Sequence, residues 1–239
     1  NNGKPYKFLE KFKNLQLANT LEKISKKGAK EFYQGSITTD IVKSLNELGG
    51  LHTLEDFYNT SGEFVEPLEA EYKDNNVYQL PPNTQGIISL IILKILNNLN
   101  IGKNEHNSAE RAHLLIEASR IAYNYRNLLL GDYESSGNIL NILNDDKLIF
   151  DFSQKIKFGS IINPLPPVPK YGSNTIYLSV VDKDQNMVSF INSIFEPFGS
   201  GLVPTNTGVL LQNRGNSFSL DKDHPNCLSS SKRPMHTII

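Results

Sequence analysis

Four prolines fall within the seven residues Asn163-Pro164-Leu165-Pro166-Pro167-Val168-Pro169. Each proline removes a backbone N–H and fixes φ, so the run excludes both helix and central strand and reads as a linker. It separates two unlike parts of the chain. Helical periodicity dominates before it, and short β-branched and aromatic runs follow it. Helices first and strands second suit an α+β layered fold rather than alternating βαβ units.

Before the linker, Leu15, Leu17, Ala18, Leu21 and Ile24 predict an amphipathic helix over 9–27, ended by Gly28. Thr38-Thr39-Asp40 is expected to cap a second helix that turns Ile41, Val42, Leu45 and Leu48 inward until Gly49-Gly50. Thr53-Leu54-Glu55-Asp56 starts a further short turn of helix. Residues 64–72 alternate and read as an edge strand, because Pro67 cannot donate to a ladder. A short strand is expected over 76–80, a buried helix over 85–99 and the longest helix over 108–130, with a partly helical stretch over 139–148. After the linker, 176–182 and 187–194 form a hairpin around Lys183-Asp184-Gln185-Asn186. A last short strand is expected over 208–211.

The 239 residues suffice for one large domain or two small ones. Net charge is −1, from 24 basic and 25 acidic residues, which gives no electrostatic reason to expect nucleic acid or an anionic membrane as partner. The most apolar run, 86–96, is too short to span a membrane and contains Lys94. The single cysteine, Cys227, excludes an internal disulfide and, with no visible signal peptide, favours a cytoplasmic location. Several motifs fail. Pro204 stands where a dinucleotide-type glycine pattern starting at Gly199 needs its third glycine. Met187 and Ser193 occupy obligatory positions of a calcium loop starting at Asp182. The five histidines lack metal-ligand spacing, so no metal site is expected.

Other stretches agree with a known pattern, in order along the chain. They are 28–35 (Gly-Ala-Lys-Glu-Phe-Tyr-Gln-Gly), 49–57 (Gly-Gly-Leu-His-Thr-Leu-Glu-Asp-Phe), 78–86 (Tyr-Gln-Leu-Pro-Pro-Asn-Thr-Gln-Gly) and 113–118. The run from Thr175 to Asp182, then Phe198-Gly199-Ser200-Gly201 and Lys232-Arg233-Pro234, complete the set. Through these the chain resembles the gamma-glutamyltransferase family of N-terminal-nucleophile hydrolases, and its departures place it nearer the acylase-like branch. The resemblance implies a four-layer αββα sandwich, of which this chain is a part, with no cofactor. It implies a precursor extending beyond both ends. Residues 1–174 would then be the C-terminal part of a large subunit and 175–239 the N-terminal part of a small one, freed by self-cleavage at Asn174-Thr175. A homodimer of such heterodimers is left open.

By the same resemblance Thr175 is the catalytic nucleophile, activated after cleavage by its own α-amino group, whose ordinary pKa near neutrality suits a base. Taken alone, Thr175 is simply the first residue of a strand. Ser193 matches a hydroxyl that bonds the nucleophile, and Asn213 flanks the substrate-reading loop. The departures are specific. Arg214 and Ser217 stand where transferases hold a substrate ammonium with acidic or amide groups, and Phe195 replaces a family Asn. His236 and Thr237 replace paired serines. A cation at 214 repels an ammonium but pairs with a carboxylate. Pairing of Arg214 with Asp221 or Asp223 at the surface is the plain alternative. The expected substrate is a small γ-glutamyl or related acyl amide. The rival reading is an uncut, non-catalytic relative that acts as a binding or scaffold protein. The family's carboxylate-gripping Arg and oxyanion glycines are expected outside residues 1–239.

Overall fold

The computed structural model describes residues 5–163, 165 and 175–239. The four linker prolines, and the stretch from 166 through Asn174, therefore lie outside the described residues. Packing divides the chain into two compact units, one of residues 1–63 and 198–212, the other of 64–197 and 213–239. The expected subunit division at 174/175 concerns a cut in the chain and is independent of this packing.

The first unit is helical. Helix α1 (Leu15–Lys27) starts later than its apolar spacing predicts, because the Asn14 side chain accepts the Leu17 N–H at 2.9 Å and so sets the start. Helix α2 (Ala29–Gln34) follows Gly28 directly and was not expected. Helix α3 (Ser36–Glu47) begins before Thr38. Of the polar residues expected to cap it, Thr39 donates to the Gly35 carbonyl within the helix, and the other two bond outside it. The Thr38 hydroxyl is buried on the Phe32 carbonyl, and the Asp40 carboxylate accepts the backbone N–H groups of Asn206 (2.9 Å) and Thr207 (3.0 Å). Helix α4 (Leu54–Tyr58) is opened by a capping box between Thr53 and Asp56, as the sequence suggests. Ile37, Ile41 and Val42 are buried. No strand forms over 208–211. Those residues close a loop, with Leu211 N–H on the Leu202 carbonyl (3.0 Å) and Ser200 N–H on the Leu211 carbonyl (2.9 Å).

The second unit is built on helix α5 (Gly86–Asn98), whose Ile87, Ile88, Leu90, Ile91 and Ile95 are fully buried. Such all-round apolarity needs cover on several sides. The core around it takes in helices α6 (Ala109–Leu129), α7 (Gly137–Asn144) and α8 (Asp146–Lys155), and the hairpin of β1 (Leu68–Tyr72) and β2 (Asn75–Gln79). The single stretch expected over 139–148 is two helices, because the Asp145 carboxylate caps Leu148 N–H at 2.9 Å and starts α8 anew. Pro67 keeps β1 shorter than its alternation, which begins at residue 64. Ser108 caps α6 through the Arg111 N–H. Glu117 on α6 is buried. It takes a 2.6 Å ion pair from Arg120 and the Ile162 N–H at 3.0 Å, which ties the approach to the proline run onto the helix.

Strands β3 (Thr175–Val181) and β4 (Met187–Ser193) form the second hairpin, in antiparallel register from Thr175↔Ser193 to Val181↔Met187. The Asp182 carboxylate accepts the N–H groups of Asp184 (2.8 Å) and Asn186 (2.9 Å), so the residues that imitate a calcium loop are the hairpin turn. Among the described residues β3 and β4 pair only with each other, and β3 is exposed along its whole length. No helix of the described residues is long and apolar enough to cross a membrane.

Gly131 ends α6's exit against the loop at Pro225. A Cβ there would collide with the Pro225 carbonyl, a backbone group that cannot swing aside. Gly131→Ala is expected to lower stability by about 1–3 kcal/mol, read as a fall in the urea midpoint with unchanged slope.

Candidate active site

All the described candidate residues lie in the second unit. Thr175 heads β3 and faces Ser193, its register partner at the end of β4. Period-two alternation puts both side chains on one face of the hairpin. Their hydroxyl oxygens are 3.2 Å apart. Asn174 lies outside the described residues, so its part in any cleavage is a matter for proposal.

Just past β4 the chain turns sharply. Phe195 has a left-handed φ of 78°, unusual for a bulky residue, and its N–H donates to Ser193 Oγ at 3.0 Å. Its ring is buried, and the Arg214 guanidinium stacks on it 4.2 Å from the centroid. Arg214 opens a 3₁₀ turn, Arg214–Ser217. Asn213 holds that turn to the strand exit. Its backbone N–H donates to Ile194 O, its side-chain oxygen accepts the Glu196 N–H (3.1 Å), and its amide donates to the Glu196 carboxylate (2.9 Å).

Arg214 Nη1 donates to Thr237 Oγ1 at 2.9 Å and Nη2 to Ser193 Oγ at 3.4 Å. Arg214 is thus inside, only 6% exposed, and engaged with site hydroxyls rather than spread on the surface towards Asp221 or Asp223. Burial lowers its pKa to about 10, which leaves it a cation at neutral pH.

The segment 235–237 is the far wall. Ser217 Oγ lies 2.8 Å from the Met235 carbonyl and 2.9 Å from that of Arg214, so its hydroxyl is spent bracing backbone. His236 Nδ1 accepts the Ile238 N–H at 3.3 Å, which requires that nitrogen unprotonated. The structure therefore brings Thr175, Ser193, Phe195, Arg214 and Thr237 together. Asn213, Ser217 and His236 stand behind them as supports.

Two residues that the sequence reading missed hold this wall. Gln85 donates its backbone N–H to His236 O (3.0 Å) and its side-chain amide to Thr237 O (2.6 Å). Arg126, buried on α6, donates to Gln85 Oε1 at 2.8 Å. The available signal was a cation on a helix face shared with Leu114, Ala118, Ile121 and Ala122, where Glu117 is the other charged residue.

A family model described as gamma-glutamyltranspeptidase matches residues 1–239. The chain belongs to the gamma-glutamyltranspeptidase family. It is 38% identical over 230 residues to the glutathione hydrolase-like YwrD proenzyme of Bacillus subtilis, covering 96% of this chain and 43% of that one. It is 30% identical to the oxamate amidohydrolase proenzyme of Klebsiella pneumoniae, covering 95% and 42%. Its fold matches the crystal structure of cephalosporin acylase from Bacillus halodurans with a TM-score of 0.83, at 32% identity over 95% of this chain and 41% of that one. The α+β, N-terminal-nucleophile hydrolase class and the acylase-like branch inferred from the motifs are thereby shown. The chain spans about two fifths of the length of these relatives.

Burial, and after it the nearby Arg214 cation, holds the His236 pKa at about 4 against an ordinary 6.5. Between pH 6.5 and 4 the unfolded chain binds a proton that the folded one refuses. His236 therefore makes stability fall as pH drops through that window and adds no further loss below it. His236→Gln is expected to flatten that part of a stability–pH curve measured by urea unfolding.

Proposed function

We propose that this chain is the nucleophile-bearing part of an N-terminal threonine amidohydrolase or acyltransferase that cuts itself before Thr175. Residues 1–174 would end its large subunit and 175–239 begin its small one. The observation that carries the reading is the hydroxyl pair of Thr175 and Ser193, beside the buried guanidinium of Arg214. The names of relatives support it, two as proenzymes and one as an acylase.

The chemistry follows from one residue. Freed at its N-terminus, Thr175 carries both a hydroxyl nucleophile and an amine base with a pKa near neutrality. Oγ1 attacks the amide carbonyl and its proton passes to the amine. The C–N bond breaks, the departing nitrogen takes that proton, and an ester to Thr175 remains. Water, or an acceptor amine, then releases the acyl group by the same steps in reverse. The chemistry invokes no cofactor. Before the cut, the same oxygen attacks the carbonyl of Asn174.

The substrate is a γ-glutamyl or related acyl amide, glutathione-like or glutaryl-like. Within that class a permanent buried cation at 214 favours acyl groups that carry a carboxylate and lack an α-ammonium. Phe195, at the position of a family Asn, adds apolar surface rather than a hydrogen-bonding amide.

Two measurements test this. Intact mass of the whole gene product is expected to show two fragments meeting at Asn174/Thr175, and one unbroken chain for Thr175→Ala. A parent that never cuts would shift the reading to an uncut binding or scaffold protein. For specificity, a glutaryl anilide is expected to turn over faster than its γ-glutamyl counterpart, and a strong γ-glutamyl preference would sink the carboxylate reading.

A further inference from the structure

Ser193 Oγ is the junction of the site. Three groups lie within hydrogen-bond distance of it: Thr175 Oγ1 at 3.2 Å, Phe195 N at 3.0 Å and Arg214 Nη2 at 3.4 Å. A hydroxyl has one proton to give and two lone pairs to accept with. The Phe195 N–H can only donate. So can a guanidinium, which has no acceptor atom. These two obligate donors fill both lone pairs of Ser193. The Thr175 hydroxyl finds no acceptor position left there. The bond between the two hydroxyls must therefore run from Ser193 to Thr175, with Thr175 Oγ1 accepting.

We propose that Arg214 is a positioning residue which, with the Phe195 N–H, obliges Ser193 to present its proton to Thr175 Oγ1 and so stabilises negative charge on that oxygen. This rests on the reading of Thr175 as nucleophile. Two consequences follow. The Thr175 proton is turned away from Ser193 and left for the α-amino group. The Ser193 proton stays where it is throughout, as a fixed donor.

The benefit is largest when Oγ1 bears charge. In acylation the C–Oγ1 bond forms while the Oγ1 proton moves to the amine. In deacylation water adds and gives its proton to the amine, the C–Oγ1 bond breaks, and its electron pair returns to Oγ1. The ammonium then reprotonates that oxygen. In both directions an adjacent cation strengthens the Ser193 donor by polarising its O–H. The fork geometry matters here. One arm of Arg214 is fixed on Thr237, and the stack on Phe195 sets the plane, which aims the other arm at Ser193. A lysine has no such fork.

The test is a double-mutant cycle on the whole gene product, with a neutral acyl anilide as substrate, so that Arg214 has no carboxylate to grip. Arg214→Met and Ser193→Ala are each expected to lower kcat about tenfold with KM little changed. The double variant is expected to be no slower than Ser193→Ala, because Arg214 acts through that hydroxyl. Ser193→Thr, which keeps a hydroxyl, is expected to restore most of the rate. Self-cleavage, read by mass, gives the same cycle for variants that cut slowly, since the same oxygen attacks. Arg214→Lys, which keeps the charge and loses the fork, is expected to resemble Arg214→Met and serves if the latter misfolds. Losses that multiply to about a hundredfold in the double variant would overturn the proposal, because Arg214 would then act independently of Ser193. A parent that never cuts before Thr175 overturns the nucleophile reading itself, and this inference with it.

Discussion

One amide side chain holds the site's geometry in place. Gln85 sits at the start of the buried helix α5 and spends all its polar atoms on neighbours. Its backbone and side-chain nitrogens pin the carbonyls of His236 and Thr237, and its side-chain oxygen takes the buried Arg126. Thr237 in turn fixes one arm of Arg214, whose other arm reaches Ser193, and Ser193 meets Thr175. The core thus sets the position of the strand head through a series of hydrogen bonds. Buried polar groups of this kind are costly when left unpaired, so such a chain specifies one arrangement strongly.

Much of this was legible in the residues. The apolar run of α5, the capping residues Ser108 and Thr53, and the β3–β4 hairpin around Asp182 follow from local rules, and the structure agrees. Local rules failed where polar residues had partners outside the helix they were expected to cap. Thr38 and Asp40 look like caps, but serve Phe32 and the loop at Asn206 and Thr207. The 208–211 run looks like a strand, but closes a loop on Leu202. The site was only partly legible. Thr175 and Ser193 have the opposed positions that hairpin register predicts. No spacing rule could place Gln85 beside residues more than a hundred positions further along, or Arg126 beside Gln85.

The electrostatics of the pocket are lopsided. Arg214 is a permanent cation, and His236 beside it is kept neutral at ordinary pH. The hydroxyls of Ser193 and Thr237 spread the positive charge without cancelling it. Charge that develops on a nearby oxygen therefore meets a favourable field already in place, the cheapest form of stabilisation because nothing must reorganise.

The hairpin that carries Thr175 has apolar residues on both faces, Ile176, Leu178, Val180, Val188 and Phe190 on one and Tyr177, Val181 and Met187 on the other, all exposed. Strands of that composition are at rest only when covered on both sides. Thr175 therefore borrows its positional accuracy from whatever covers those faces. If the chain is cut before Thr175 as proposed, folding would act as a clock for the chemistry: a half-assembled chain would leave Thr175 on a loose ribbon, and the bond before it would be spared until burial is complete.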